Sequence, residues 1–274
     1  MTRGAPLLSG LLAAMCASCA AGDAGERTLV LGATTSTHDS GLLDALIPLF
    51  ESARPAYNVR PVVVGTGAAL ALGRRGDVDV LLVHAPAAES AFVARGHGRL
   101  RCAVMHNDFV IVGPASDPAG VRGMTDAAAA LRRIAAARTA FISRGDDSGT
   151  HRRELALWGA AGPPSSARYL AAGQGMGEVL IMAGEQRAYT LADRATHLVL
   201  RERTGLDVLV EGDVRLRNDY GVIPVTRARD PAAAVAFADW ITSAGARRAI
   251  GGFGRERFGR ALFTPATQAC DLGR

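Results

Sequence analysis

Short apolar runs alternate with helix-like segments along most of this sequence, and this alternation limits the fold more than any other feature. The runs at 28–33 and 58–64 are apolar without a helical period, which indicates buried strands. Between them, Leu42, Leu46 and Phe50 share one face of a predicted helix. Strands that alternate with helices favour an α/β fold with mainly parallel sheets.

Local signals predict several element boundaries. Ser36, followed three residues later by Asp39, resembles a capping box at the start of the first helix. Pro48 is expected to kink that helix or to end it early, because proline has no backbone N–H. A further helix is predicted over 125–138, and the segment 189–193 has the composition of a turn.

The length of 274 residues leaves room for two lobes. Because no long linker rich in proline or serine divides the chain, we expect extended segments to connect the lobes. Strand-like segments meet polar residues near 105–109 and near 215–220, and we predict the crossings there.

All 31 residues in the combined lysine and arginine count are arginines, and the net charge is +5. The lack of lysine excludes a Walker-type phosphate loop, a Schiff-base lysine and an S-x-x-K nucleophile. The arginines are scattered along the chain rather than gathered in a basic tract, so nucleic acid is not a predicted partner.

The beginning of the sequence resembles an export signal. An apolar stretch at 7–20 follows a short positive region and grades into small residues, with cleavage expected after Ala20 or Ala21. We therefore predict a signal peptide over 1–21 and a periplasmic or otherwise extracytoplasmic protein. Lipidation of Cys19 is the alternative to simple cleavage.

Two cysteines lie beyond this leader, Cys102 and Cys270. In an oxidising compartment they can pair and join the middle of the chain to its C-terminal part. Two separate buried thiols are the alternative.

Three strand-to-helix junctions have the same composition, at 33–41, 63–70 and 143–151. Each places Gly, Ser or Thr where a strand ends and a helix begins. Backbone N–H groups and hydroxyl donors at such a junction form an anion site, which the helix field favours. For a single junction an ordinary helix cap is the alternative explanation, but three together predict a site.

The third junction contains Arg144 and then places three basic residues, 151–153, in the first turn of a helix. First turns normally favour acidic residues, so a bound anion would remove the conflict. The guanidinium of Arg144 can donate two parallel hydrogen bonds to an oxyanion. A structural bridge to Asp146 or Asp147 is the alternative, and the two roles are compatible.

A hydrolase is the distant alternative. Ser148 and His151 lie three residues apart, but no G-x-S-x-G elbow surrounds the serine, and a helix cap fits the segment better. A Ser–His–Asp triad can still be assembled in space. The histidines have no paired spacing typical of a metal site, and a dinucleotide fingerprint is absent, so no metal or cofactor is predicted.

Seven segments, in this order, resemble the tungstate-binding proteins of bacterial ABC importers. They are TTSTHDSGLLD, VVGTGAALALG, DVDVLLVHAPAAE, HNDFVIVGP, FISRGDDSGTHRRELALW, GQGMG and AYTLADR, between about residues 28 and 225. SRGDDSGTH is also shared, in weaker form, with phosphate binders. Ala33 departs from the family, which usually has a threonine there, so this position either lacks a donor or acts through its backbone.

The resemblance implies a class II periplasmic-binding-protein fold, in which two α/β lobes joined by two crossing strands hold an oxyanion in a cleft. The implied lobes are 26–106 with 217–274, and 107–216. Carried over to this sequence, the ligand-binding residues would be Thr35, Ser36, Thr66 and Gly67 from the first lobe, with Gly65 beside them, and Arg144, Ser148, Gly149 and Thr150 from the second.

The implied function is capture of tungstate, without catalysis or cofactor, by a monomer that delivers the anion to a membrane permease. Tungstate and molybdate are dianions without protons at neutral pH, so a cavity of donors suits them, whereas phosphate carries a proton and requires an acceptor. Asp146 or Asp147 would supply that acceptor if it faced inward, but the family resemblance implies that both point outward or brace the arginine. Molybdate and phosphate are the alternative ligands.

Overall fold

A mixed β-sheet runs through the protein, which a computed structural model describes over residues 1, 27–166, 168–268 and 270. From its second residue onward, the predicted signal peptide lies outside the described residues, and so does the alternative lipidation site Cys19. Within the described part of the chain, no helix is both long enough and apolar enough to cross a membrane.

The first group of strands is parallel. β1 (Arg27–Thr34) lies between β2 (Tyr57–Val64) and β3 (Val80–Val83) and pairs with both. Parallel neighbours need a crossover connection, which helices provide here. The helices of this group are α1 (Thr35–Asp39), α2 (Leu42–Ala53), α3 (Thr66–Arg75) and α4 (Pro86–Ala94).

Two antiparallel strands continue the sheet beside β3. They are β4 (Cys102–Pro114) and β9 (Arg217–Pro224), and β9 is the one that pairs with β3. Asn107 of β4 lies opposite Asn218 of β9. Both predicted crossings therefore lie side by side in this ladder.

The second half of β4 supports a second group of strands. β7 (Thr190–Asp193) and β8 (Leu206–Val210) pair antiparallel with it, while β5 (Phe141–Ser143) and β6 (Tyr169–Ala171) form a separate parallel pair. The helices of this group are α5 (Ala127–Ala136), α6 (Gly149–Trp158), α7 (Met176–Glu185) and α8 (Arg194–Thr204), with 3₁₀ turns at Gly159–Ala161 and Val214–Leu216.

The C-terminal part of the chain returns to the first group. Its elements are α9 (Pro231–Ile241), α10 (Ala244–Gly252), α11 (Arg255–Phe258) and β10 (Thr264–Pro265). β10 pairs antiparallel with the beginning of β4 and forms the edge of the sheet.

Each group of strands packs around cores of its own. Leu31 of β1, Phe50 of α2 and Phe237 of α9 share one core in the first group. In the second group, the neighbouring residues Phe109 and Val110 of β4 lie in two different cores. Successive side chains of a strand point to opposite faces, so β4 is buried on both sides.

The prediction of mainly parallel sheets was wrong. β1 pairs in parallel with β2 and β3, but the pairs that β4 forms with β7, β8, β9 and β10 are all antiparallel. The sheet is mixed because the chain passes out through β4 and returns through β9.

The predicted capping box at the start of the first helix was also wrong. α1 begins at Thr35 with Thr34 as its N-cap, so Ser36 lies inside the helix. The carboxylate of Asp39 accepts a hydrogen bond from the backbone N–H of Gly177 at 3.0 Å. Asp39 therefore makes a contact between α1 and α7, which local sequence cannot reveal.

Pro48 does not end its helix early, because the buried apolar face of α2 holds the helix against the core through to Ala53 despite the missing N–H. A further local prediction was wrong. The segment 190–193 forms β7 rather than a turn, since its residues pair with β4 and are buried.

Cys102 and Cys270 form a disulfide, with their Cα atoms 5.3 Å apart. The bond ties the first residue of β4 to the chain beyond β10, across a sequence separation of 168 residues. A crosslink over so long a loop removes much conformational freedom from the unfolded chain.

We predict that the double substitution Cys102→Ser and Cys270→Ser lowers the free energy of unfolding by about 2–5 kcal/mol, because the unfolded chain regains that freedom. Urea unfolding followed by circular dichroism measures the change. Reductant should destabilise the wild type to a similar extent and leave the double variant unchanged. Equal stability of both proteins under oxidising conditions would contradict the prediction.

Candidate functional site

The three predicted junctions all lie where a strand ends and a helix begins. β1 leads directly into α1, β2 leads through Gly65 into α3, and β5 leads through the loop 144–148 into α6. The first N–H groups of a helix have no acceptor within their own helix, so α3 and α6 present donors at these ends.

The junctions of the two groups are in contact. A Cβ atom added to Gly65 would lie 3.1 Å from Oδ2 of Asp146 and 3.4 Å from Cβ of Ser148. A Cβ atom on Gly149 would lie 2.5 Å from the backbone oxygen of His84. The loop before α6 therefore closes against the ends of β2 and β3, and only glycine allows this approach.

A second contact closes the same region from the side of α7. A Cβ atom on Gly175, the N-cap of α7, would lie 3.5 Å from Cγ2 of Thr35. Together with the Asp39–Gly177 hydrogen bond, this places α1 against the beginning of α7. Gly67 also faces the second group, because the carboxylate and backbone oxygen of Asp147 lie next to it.

Predicted ligand-binding side chains from both groups carry buried donors without a hydrogen-bond partner among the described residues. These atoms are Thr35 Oγ1, Thr66 Oγ1, Thr150 Oγ1 and Nη1 of Arg144. Ser36 Oγ also lacks a hydrogen bond of normal geometry, although Ser36 interacts with Tyr220. A buried donor left unpaired costs about 1–3 kcal/mol, so these atoms indicate a site for a small acceptor-rich group.

Arg144 is held rigidly in this site. Its side chain is only 1% exposed. Nη2 donates to Oδ2 of Asp146 at 2.5 Å, and Nε donates to the backbone oxygen of Gln174 at 3.2 Å. These bonds fix the guanidinium, and Nη1 is buried without a partner among the described residues, so bracing and anion binding are compatible roles.

The predicted orientation of the two aspartates is confirmed. Asp146 uses one carboxylate oxygen for Arg144 and the other for the backbone N–H of Ser148, at 3.2 Å. The side chain of Asp147 is 65% exposed and pairs with Arg152 at 2.7 Å. Both oxygens of Asp146 are therefore engaged, and Asp147 faces solvent.

Ser148 and His151 do not form a nucleophile–base pair. Ser148 Oγ accepts the backbone N–H of His151 at 3.2 Å, as an N-cap of α6. The ring atom Nδ1 of His151 accepts the backbone N–H of Asp147 at 3.0 Å. Both side chains thus shape the turn, which fits the predicted cap and not the hydrolase alternative.

The family comparison agrees with this geometry. A family model described as a PBP superfamily domain matches residues 20–244. A tungstate-binding protein, TupA, of Peptoclostridium acidaminophilum is 49% identical over 247 residues, which cover 88% of this chain and 86% of that protein. The chain belongs to the tungstate-binding family of the PBP superfamily.

Solved structures of family members have the same fold. The tungstate-binding protein TupA of Desulfovibrio alaskensis G20 matches with a TM-score of 0.71 and 45% identity, over 88% of this chain and all of that one (100%). The tungstate ABC transporter structure from Geobacter sulfurreducens matches with a TM-score of 0.74 and 45% identity, over 83% of this chain and 99% of that one.

The position where this family member departs from the usual threonine lies in the core. Ala33 is fully buried and belongs to the apolar core around β1. Its side chain therefore packs inside the first group of strands, and the position can reach the site only through its backbone.

Sequence reasoning missed a group of hydrogen-bonded polar residues at the end of β3 and in β4 and β9. His84 Nδ1 lies 2.8 Å from Oδ1 of Asn218, whose Nδ2 donates to Asn107 at 2.7 Å and to Tyr220 at 3.1 Å. Burial, followed by the charge of Arg144, lowers the pKa of His84 to about 4, so this histidine is neutral at pH 7. No local pattern links these residues, because they are distant in sequence.

Sequence reasoning did not single out Asp193, which lies at a fourth strand-to-helix junction. It ends β7 and caps α8, accepting the backbone N–H of Thr196 at 3.0 Å, and it is fully buried. The signal was available: an apolar run followed by aspartate and a helix is the same strand-to-helix junction that marked the other three.

We predict that Gly149→Ala weakens anion binding at least about tenfold, because the added methyl group collides with the backbone of His84 and keeps the two groups apart. Isothermal titration with tungstate measures the affinity. Gly252→Ala is the matched control, since nothing lies within 4 Å of a Cβ atom there. Unchanged affinity of Gly149→Ala would show that this contact is not needed for binding.

Proposed function

We propose that the chain is an extracytoplasmic solute-binding protein that captures tungstate in this cleft and delivers it to the permease of an ABC importer. The observation that carries the proposal is the set of buried donors that both groups of strands present at contacting junctions, without partners among the residues that the structure describes. The identity of the anion comes from the names of its relatives in Peptoclostridium acidaminophilum and Desulfovibrio alaskensis.

The proposed mechanism is a hinged trap. Residues 26–106 with 217–274 act as one lobe, residues 107–216 act as the other, and β4 and β9 form the hinge between them. An open form admits the hydrated anion, and the second lobe then closes over it. Closure is driven by contacts that exist only in the closed form, above all those made by Arg144 and Thr150.

The donor set explains a preference for a dianion without protons. Each carboxylate oxygen of Asp146 already accepts a hydrogen bond from the protein, and the carboxylate of Asp147 points to solvent, so neither is directed at a protonated anion. Tungstate and molybdate share the required chemistry, and molybdate remains the alternative ligand, whereas phosphate fits less well. Nothing in this arrangement calls for a cofactor or a reaction, and the protein acts as a monomeric carrier.

We predict that Arg144→Ala weakens tungstate binding at least about 100-fold, because it removes charge-assisted hydrogen bonds from a buried site. Thr150→Val removes a single donor without changing the shape of the side chain, and we expect about a tenfold loss. Thr242→Val, which removes a buried hydroxyl outside the cleft, should leave the affinity unchanged. Titration calorimetry measures all three variants, and thermal unfolding checks that each is folded.

Tungstate, molybdate, sulfate and phosphate should be compared in the same calorimetric series. We expect tungstate to bind most tightly and phosphate weakly. Phosphate affinity equal to that of tungstate would overturn the selectivity argument, and tight binding by Arg144→Ala would refute the assignment of this residue.

A further inference from the structure

One buried carboxyl group beside the cleft has no role among the hydrogen-bond donors described above. The side chain of Asp193 is fully buried at the point where β7 ends and α8 begins. Oδ1 accepts the backbone N–H of Thr196, but Oδ2 is buried without a hydrogen-bond partner of normal geometry in the described chain. Capping α8 requires only one of these oxygens, and the hydroxyl of Thr196 also interacts with the carboxyl group.

Three groups from other parts of the fold are close enough to Asp193 to interact with it electrostatically. They are Asp39 of α1, Arg144 after β5 and Tyr220 of β9. Thr196 is in the first turn of α8, and its hydroxyl oxygen Oγ1 is 3.5 Å from the backbone oxygen of Ser36. The carboxyl group of Asp193 therefore lies at the junction where α1, α8 and Arg144 meet.

The arginine next in sequence does not neutralise this carboxyl group. Arg194 turns away and pairs with Asp108 at 2.5 Å and with Glu211 at 2.6 Å. Arg144 already pairs with Asp146. An ionised Asp193 would thus be a buried charge without a close cation of its own, facing another carboxylate.

Burial raises the pKa of Asp193 from 3.8 to about 6. The hydrogen bonds from Thr196 oppose this increase, and the negative charge of Asp39 adds to it. A carboxyl group with a raised pKa favours its neutral form in the folded protein. Its contribution to stability is therefore present below pH 4 and is lost as the pH rises from about 4 to about 6.

We infer that Asp193 is a specificity-determining residue of the anion site, which binds the oxyanion as a neutral acid by donating a hydrogen bond from Oδ2, so that one proton is taken up together with the anion. This inference rests on the proposed function. A neutral Asp193 extends the donor set, whereas an ionised one repels a proton-free dianion and accepts a hydrogen bond from a protonated anion such as hydrogenphosphate. The protonation of one carboxyl group thus decides which kind of oxyanion the cleft prefers.

The inference has a direct thermodynamic consequence. A bound dianion disfavours ionisation of a neighbouring carboxyl group, so the pKa of Asp193 is higher in the complex than in the free protein. Between these two values, binding takes up a proton, and the affinity for tungstate falls by up to about tenfold for each pH unit.

The first test uses the wild-type protein alone. Tungstate is titrated calorimetrically at pH 6.5, 7.5 and 8.5, in pairs of buffers with different ionisation enthalpies. We expect an uptake approaching one proton per anion and a loss of affinity of at least about tenfold from pH 6.5 to 8.5. Binding without proton uptake or pH dependence would overturn the inference and leave the proposed function intact, whereas no binding at any pH would contradict the proposed function.

The second test assigns the proton to its residue. Asp193→Asn keeps an acceptor for the N-cap and a donor for the anion, so we expect affinity at pH 6.5 within about threefold of the wild type and no dependence on pH. Asp126→Asn is the matched control, because Asp126 caps α5 in the same way at an exposed position. Asp39→Asn should retain proton uptake. The role of Asp193 would be refuted if Asp193→Asn still took up a proton on binding tungstate. It would also be refuted if proton uptake disappeared only in Asp39→Asn.

Discussion

The antiparallel pairing of β4 with β9 is the constraint on which the rest of the structure depends. β9 belongs to the first group of strands through β3, and β4 supports the second group through β7 and β8. Because Asn107 lies opposite Asn218, the register of this ladder fixes where the strands of one group end relative to those of the other. The contact between Gly149 and the end of β3 follows from that register.

The buried donors at the contacting junctions carry an energetic cost that an acceptor-rich ligand can offset. Three threonine hydroxyls and one guanidinium nitrogen are buried without partners in the described chain, and the guanidinium is held in place by Asp146. A buried donor without an acceptor costs about 1–3 kcal/mol, so an anion that accepts hydrogen bonds from these groups recovers that free energy.

The sequence predicted most of the site because the site is built from local junctions. Thr66, Arg144 and Thr150 were predicted from strand-to-helix turns and from a family resemblance, and each has a buried donor without a partner among the described residues. The disulfide stayed open because spacing alone cannot distinguish a bond from two thiols. The roles of Asp39 and Asp193 were missed because they depend on which elements pack against them, which local periodicity does not encode.

The hydrogen-bonded group of His84, Asn107, Asn218 and Tyr220 joins the two crossing strands to the end of β3 without any formal charge at neutral pH. Mobile ions screen charged pairs in solution but have little effect on neutral, buried hydrogen bonds. Salt therefore has little effect on the hydrogen bonds that join β4 and β9 to the end of β3. In fresh water and in brine alike, dissolved salts would influence such a carrier mainly through anions that compete for its cavity.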